Sequence, residues 1–391
     1  MSDRTVLVLN AGSSTIKIGV FSIEKKGVAL RYKGLLDKHA AAPRLQLLDT
    51  AGAVVFEGHA AGPSGDDTLD ELLAWLDTQT AVAQVAAVGH RVVHGGSDFL
   101  DPVFVTAEIT KKLADLSPLA PLHQTNCLEP ILVIASRRPA MPQIACFDTA
   151  FHRTIDPVLR RLPLPGRFER RGLRKYGFHG LSYEYIASRL PKVSPRLAVG
   201  RVVIAHLGSG ASLCGMRGGK SIDTTMGLTP LDGLMMATRC GSIDPAAVLY
   251  MLDAEKPAPD ELQRMLYEQS GLLGVSGVSG DMRTLLQSRV PEAGLAIDMF
   301  CRRVAAGIVS MAQSLQGLDG IVFTGGIGEN SDVVRRRVCA ELSWLGVNLK
   351  AHEIPENGLV SSEEAVVEVR VMRTSEETMI AEHVAVELSA M

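Results

Sequence analysis

The chain has 391 residues, 46% apolar and 21% charged, and Lys+Arg 40 against Asp+Glu 43 leaves a formal net charge of -3. That length predicts two or three domains around a substantial core, and the near balance of charge argues against nucleic acid or a membrane surface as a partner. Six cysteines (Cys127, Cys146, Cys214, Cys240, Cys301 and Cys339) form no C-x-x-C pair and have no metal-finger spacing, so reduced thiols in a cytoplasmic protein are expected. No run is long and apolar enough to serve as a signal core or a membrane span.

From the N-terminus, Val6–Leu9 is an apolar run that meets Asn10 and then Gly12-Ser13-Ser14, and Ile16–Phe21 can return as a hairpin. Leu69–Leu76 reads helical, Val85–Val93 ends as a strand, and Glu108–Leu116 reads helical again, an alternation that means α/β. Ile144–Phe147 is a short strand delivering Asp148 at its end, after which a domain boundary is expected, giving domains 1–150 and 151–375. Pro157–Arg174 reads as an exposed excursion.

The opening pattern then recurs. Val202–Ala205 meets His206-Leu207-Gly208-Ser209-Gly210, and Ala211–Met216 can return as a second hairpin, so the fold is predicted to be duplicated. A Gly-Ser corner presents backbone N–H groups with no Cβ in the way, which suits a phosphate oxygen. Gly320–Thr324 is a strand leading into Gly325-Gly326-Ile327-Gly328, and Asn330 or Ser331 can cap a helix carrying Val334, Val338 and Leu342. Val367, Val369 and Val371 alternate with charged residues as a half-buried strand. Thr374 and Glu377 have capping-box spacing at the start of the last helix, 376–391, which would leave Glu376 free to point elsewhere.

Three other motif families fail. Gly219-Lys220-Ser221 imitates the end of a P-loop, but Cys214 stands where the first glycine is required. Ser331 replaces the third glycine of a dinucleotide fingerprint after Gly326 and Gly328. Ser14-Thr15-Ile16-Lys17 fits S-x-x-K, yet no K-T-G follows.

The segments VLNAGSSTIK (8–17), HRVVHGG (90–96), APLH (120–123), CFDTAFH (146–152), KYGFHG (175–180), HLGSGAS (206–212), MGLTPLDGLMMATRCGSIDP (226–245), SGLLGVSGVSGDMR (270–283), FTGGIGENS (323–331) and TSEE (374–377) remain. In this order and over nearly the whole length, the chain resembles the acetate/propionate kinase family. The resemblance implies an α/β fold of two duplicated actin-like (ribonuclease H-like) domains with a central cleft, the last helix returning to the first domain. It also implies a homodimer that moves the γ-phosphoryl of ATP to acetate or another short-chain carboxylate, with Mg²⁺ or Mn²⁺, giving an acyl phosphate and ADP.

The chemistry agrees with the residue types. A carboxylate with a pKa near that of Glu, about 4.3, is ionised at neutral pH and needs no general base. The protein's task is to suppress repulsion between two anions and stabilise charge on the equatorial phosphoryl oxygens. By the resemblance, Arg91 and Arg239 supply planar guanidinium forks, His179 donates to the transferring group, and Asp148 is a metal-side carboxylate, with Asn10 and Glu376 at the metal. His123 matches a further family histidine. Asn10, Lys17, His206, Gly208, Ser209 and Gly210 fall to the phosphate loops. Asp281, Met282 and Arg283 fall to the adenosine, and Gly326, Ile327, Gly328, Glu329 and Asn330 to the far wall of the nucleotide site. Val93, Leu122, Phe178 and Pro230 match the pocket for the substrate's alkyl end.

Departures from the family pattern are Ser209 for an asparagine, Thr15 for a serine, Gln124-Thr125 for Asn-Pro, and Leu181-Ser182-Tyr183 for Thr-Ser-His. The rival readings are a propionate or butyrate kinase, a pyrophosphate-dependent relative, and an ATPase module of the actin/Hsp70 type without an acyl acceptor.

Overall fold

The computed structural model describes residues 4–12, 15–37, 44–59, 66–79, 84–350 and 358–390, the side chains of His59, Asp66, Asp67 and Leu122 excepted; Ser13 and Ser14 lie outside them. The chain divides into two compact units, one of Met1–Phe151, Gly180–Tyr185 and Ser375–Met391, the other of His152–His179 and Ile186–Thr374.

The first unit is built on strands β1 (Arg4–Ala11), β2 (Thr15–Glu24), β3 (Gly27–Asp37), β4 (Arg44–Asp49), β5 (Val54–His59), β6 (Val85–Val92), β7 (Val103–Phe104) and β8 (Gln143–Phe147), in the order β5-β4-β3-β2-β1-β6-β8-β7. The second carries β9 (Arg201–Leu207), β10 (Ala211–Arg217), β11 (Lys220–Thr224), β12 (Gly320–Thr324), β13 (Gly358–Leu359) and β14 (Glu368–Val371), in the order β11-β10-β9-β12-β14-β13. The shared core makes the duplication plain. In β3-β2-β1-β6-β8 the first three strands pair antiparallel and the rest parallel, and β11-β10-β9-β12-β14 repeats both the order and the directions. β1 and β9 are the pivots, buried along almost their whole lengths, as central strands covered on both faces must be.

The C-terminal helix, Glu376–Ser389, closes the first sheet: Ile380, Ala381, Val384 and Leu388 pack with Val6, Val8, Phe21 and Ile144. Its approach to β6 needs Gly89, where a Cβ would lie 2.7 Å from methyls of both Ile380 and Val384. Leu181 joins this core, which is why 180–185, expected in the second domain, groups with the first. In the second unit the long helix Pro291–Leu315 covers β9, β10 and β11.

Helix starts differ locally from expectation. Ser331 does cap the helix Asp332–Ala340, accepting from Val334 N, but Leu342 lies beyond its end, and the glycine segment is itself a short helix, Gly325–Asn330. The last helix is capped by Ser375, which accepts from Thr378 N, so the capping box expected between Thr374 and Glu377 does not form.

Two buried histidines set an acid limit on stability. Both ring nitrogens of His90 on β6 lie buried without a hydrogen-bond partner, and burial, only partly offset by neighbouring Gln143, pushes its pKa down to about 4. Burial does the same to His152, also to about 4, although its ring nitrogens reach Ser221 Oγ at 2.8 Å and the Phe178 carbonyl at 3.0 Å. The unfolded imidazoles bind protons near the ordinary 6.5, so stability is present above that pH and drains as pH falls toward about 4. The slope approaches ~1.4 kcal/mol per pH unit for each histidine. Urea midpoints at pH ~7 and pH ~5 should therefore differ clearly in favour of the higher pH; coincident midpoints would contradict this account.

Candidate active site

In the first unit the strand ends bring four side chains together. Asp148 follows β8 and is 0% exposed, so its charge must be met internally, and Arg91 near the end of β6 meets it. Arg91 Nε lies 3.0 and 3.1 Å from the two Asp148 oxygens, and Nη2 donates to Oδ2 at 2.5 Å. Nη1 donates to the Ala11 carbonyl at 3.3 Å, where β1 ends. Burial works against the Arg91 charge, but Asp148 and Glu376 more than offset it, and its pKa ends above that of a free guanidinium. Asp148 thus clamps Arg91, accepting from the guanidinium through both oxygens.

Glu376 Oε2 stands 3.9 Å from Arg91 Nε. Asn10, at the end of β1, donates from Nδ2 to Glu376 Oε2 at 2.9 Å and to Glu377 Oε1 at 2.7 Å. Both carboxylates therefore face Asn10, and Glu377, expected to be spent on capping, is a site residue that sequence reasoning missed. Lys17 sits directly across the β1–β2 ladder from Asn10, hence on the same face. Val93 is buried beside this cluster's strand. Gln124 explains its own departure from the family pattern: its buried amide accepts from His94 N at 3.1 Å and donates to the carbonyls of His94 and Leu113 at 3.0 and 3.1 Å. It pins the turn after Val93 through groups an asparagine is one methylene too short to reach from the same Cα. Tyr183, another departure, is fully buried, its ring tilted against Phe151.

In the second unit the β9–β10 hairpin turns through Gly208, Ser209 and Gly210, with Gly208 N donating to the Gly210 carbonyl at 3.0 Å. His206 and Ser212 are opposite one another across it and share a face. His179 has left-handed backbone (φ 59°) ahead of the helix Gly180–Val193, and its Nδ1 lies 2.8 Å from Ser212 Oγ. Its ring stacks on His206 at 4.3 Å between centroids. That contact leaves Nε2 toward Gly210, where a Cβ would lie 3.3 Å from it and 3.7 Å from Arg239 Nη1. A glycine here keeps the space in front of two donors open. Arg239 is steadied by the Pro230 carbonyl at 3.0 Å. Ser212 was not anticipated, although a three-residue turn at 208–210 places it opposite His206 by counting alone.

The other residues expected at the nucleotide have the following partners. Asp281 caps the helix Met282–Gln287, accepting from Arg283 N and Thr284 N, and it also pairs with the exposed Arg283 side chain at 2.9 Å, while Met282 is buried core. Glu329 ties three backbone and side-chain groups together: its Oε1 accepts from Thr324 Oγ1, Gly325 N and Thr374 N at 2.9 to 3.2 Å. Asn330 Nδ2 donates to the Gly326 carbonyl, and buried Arg335 donates to the carbonyls of Gly328 and Glu329. Gly326 and Asn330 remain exposed, and Ile327 is half-buried. Phe178 and Pro230 are buried in the second unit, and the Leu122 side chain lies outside the described residues.

Among the described residues no group of three or more His, Cys, Asp or Glu is placed to hold a metal ion, and no helix is long and apolar enough to cross a membrane. Mg²⁺ asks for less: it binds through one or two carboxylates together with phosphate oxygens and water. Glu376 and Glu377, adjacent anions gathered by one amide, fit that habit.

Comparison with known proteins follows the same lines. Residues 5–382 match the family described as the Acetokinase family. A curated acetate kinase of Rhodopseudomonas palustris (strain ATCC BAA-98 / CGA009) is 46% identical over 391 residues, covering 98% of each chain. The crystal structure of Porphyromonas gingivalis acetate kinase matches at a TM-score of 0.87 and 32% identity, covering 98% of this chain and 100% of the other. A propionate kinase from Francisella tularensis subsp. tularensis SCHU S4 matches at 0.88 and 34%, covering 97% and 98%.

Proposed function

This chain belongs to the acetokinase family, and on that premise we propose that it moves the γ-phosphoryl group of ATP to acetate, giving acetyl phosphate and ADP. The observation that carries the reading is the buried arginine beside a pair of carboxylates: Arg91 held by Asp148, with Glu376 and Glu377 gathered at Asn10.

Arg91 and Arg239 hold the anionic acceptor and the transferring group, offering charge that needs no reorganisation when the transition state forms. Asp148 keeps the Arg91 fork at a fixed angle. His179 donates from Nε2 to a phosphoryl oxygen, its ring set by Ser212 at Nδ1 and by the His206 stack. Ser209 and Gly210 present backbone N–H groups to the phosphates, in a turn closed by Gly208 N on the Gly210 carbonyl. Glu376 and Glu377, with Asn10, would hold Mg²⁺, which when bound offsets the charge of the phosphate oxygens. The transfer proceeds in line, with the ionised acetate as nucleophile and no base.

Acetyl phosphate trapped as hydroxamate, with Mg-ATP and acetate, propionate or butyrate in turn, tests the reading, and pyrophosphate in place of ATP tests the donor. Acetate with ATP should give the highest kcat/KM. ATP turnover indifferent to every carboxylate would replace the reading with an ATPase module. The propionate kinase neighbour favours propionate as a second acceptor, since one methylene in an apolar pocket is worth only about 1 to 3 kcal/mol.

The protein acts in the cytoplasm as a homodimer. The helix Pro245–Ala254 supports the second point: it is rich in Ala, Leu, Tyr and Met, yet none of its residues is buried, with Leu249 66% and Tyr250 73% exposed. A second copy of the chain would cover that face. Tyr250→Asp should weaken self-association by ~10-fold or more, as loss of an aromatic anchor does. Sedimentation velocity showing the variant and the parent equally associated would count against this helix as the contact.

A further inference from the structure

A cavity of about 350 Å³ lies in the first unit, beside the first turn of the C-terminal helix. Asn10, Arg91, Asp148 and Glu376 do not line it, while Lys17 and Glu377 border both it and the candidate active site. Its floor is the outer part of the sheet, where the helix no longer covers the strands: Phe21 on β2, Leu30 and Leu35 on β3, Leu48 on β4. Leu30 and Leu35 remain 37% and 44% exposed there, on strands whose other apolar residues are largely covered. Lys17 and Lys33 stand at this apolar surface, and among the described residues neither ammonium has a hydrogen-bond or ion-pair partner. Ser375 and Thr378 add hydroxyls. The one carboxylate in the wall, Glu377, is engaged through Oε1 by Asn10.

We propose that this cavity is a binding site for an amphipathic carboxylate, its alkyl or aryl body on the leucine floor and its head between Lys17 and Lys33. The volume falls within the range of about 300 to 1,000 Å³ usual for small-molecule sites, and apolar walls with a few charged groups are the usual lining. Two unpaired cations select for an anion, and the apolar floor selects against a bare one such as phosphate or acetate. Three of the walls, Ser375, Glu377 and Thr378, belong to the turn that carries Glu376, so an occupant touches the element that presents the carboxylate pair.

Octanoate is the probe, titrated calorimetrically into the full chain. One saturable event tighter than ~1 mM is expected. Lys33→Glu, on an exposed lysine, should weaken it by ~10-fold or more, and Leu35→Glu should abolish it, with circular dichroism unchanged for the first. Arg91→Ala combined with Asp148→Asn, which leaves no buried charge stranded, and excess acetate should leave octanoate binding intact. Binding that Lys33→Glu and Leu35→Glu both spare, binding lost with that double variant or displaced by acetate, or no saturable heat at all would overturn the proposal. The first two of these place octanoate elsewhere, the second at the acyl-acceptor position. None of these readouts depends on phosphoryl transfer, so failure here leaves the proposed reaction standing.

Discussion

Replacing Arg91 with Ala is expected to lower kcat/KM for acetate by ~100-fold or more, the scale set by removal of one preorganised charge-stabilising donor. It should also destabilise the fold. Asp148 is fully buried and takes three of its hydrogen bonds from this guanidinium, and stranding one partner of a buried ion pair costs about 3 to 5 kcal/mol. The two effects can be separated with a second substitution. Arg91→Ala with Asp148→Asn removes the stranded charge, so the double variant should recover much of the stability while the rate stays low. Urea unfolding and hydroxamate assays on the single and double variants measure both. An Arg91→Ala enzyme that keeps its rate, or a double variant that regains rate along with stability, would refute the role given to Arg91.

His179→Asn should show the second large loss, ~100- to 1,000-fold in kcat, with little change in the KM for ATP, because the donor acts on charge that develops during transfer. Asparagine suits the experiment because it tolerates the left-handed backbone that His179 adopts, so that side-chain chemistry is removed without adding strain. Ser212→Ala leaves the imidazole in place and removes only the group at its Nδ1, so its loss should be roughly a tenth as severe or less. Single-turnover rates distinguish the cases. If Ser212→Ala proved as damaging as His179→Asn, Ser212 would itself be touching substrate, and if His179→Asn were silent the donor would have to be another group.

Much of this arrangement is local and therefore legible. The β1 and β9 runs, the glycine turns after them, and Asp148 at the end of β8 all follow from apolar periodicity and turn chemistry over a few residues. Asp281 has a local role that its spacing could have shown: an Asp two and three residues ahead of free helix N–H groups finds a partner in its own backbone. Glu329 likewise accepts from the nearby Gly325 N. Glu377 does the opposite, since a plausible local cap was available and the side chain went instead to Asn10, 367 residues away.

The amino-acid order alone determined the duplicated α/β plan, the family likeness and the positions from which Arg91, His179 and Arg239 present their side chains, because each depends on neighbours within a turn or a hairpin. Which carboxylate faces which cation was decided only by the folded chain. Asp148 reaches Arg91 across 57 residues and Asn10 reaches Glu376 across 366, and a buried charge takes the nearest compensating group in space, a distance that no local spacing encodes.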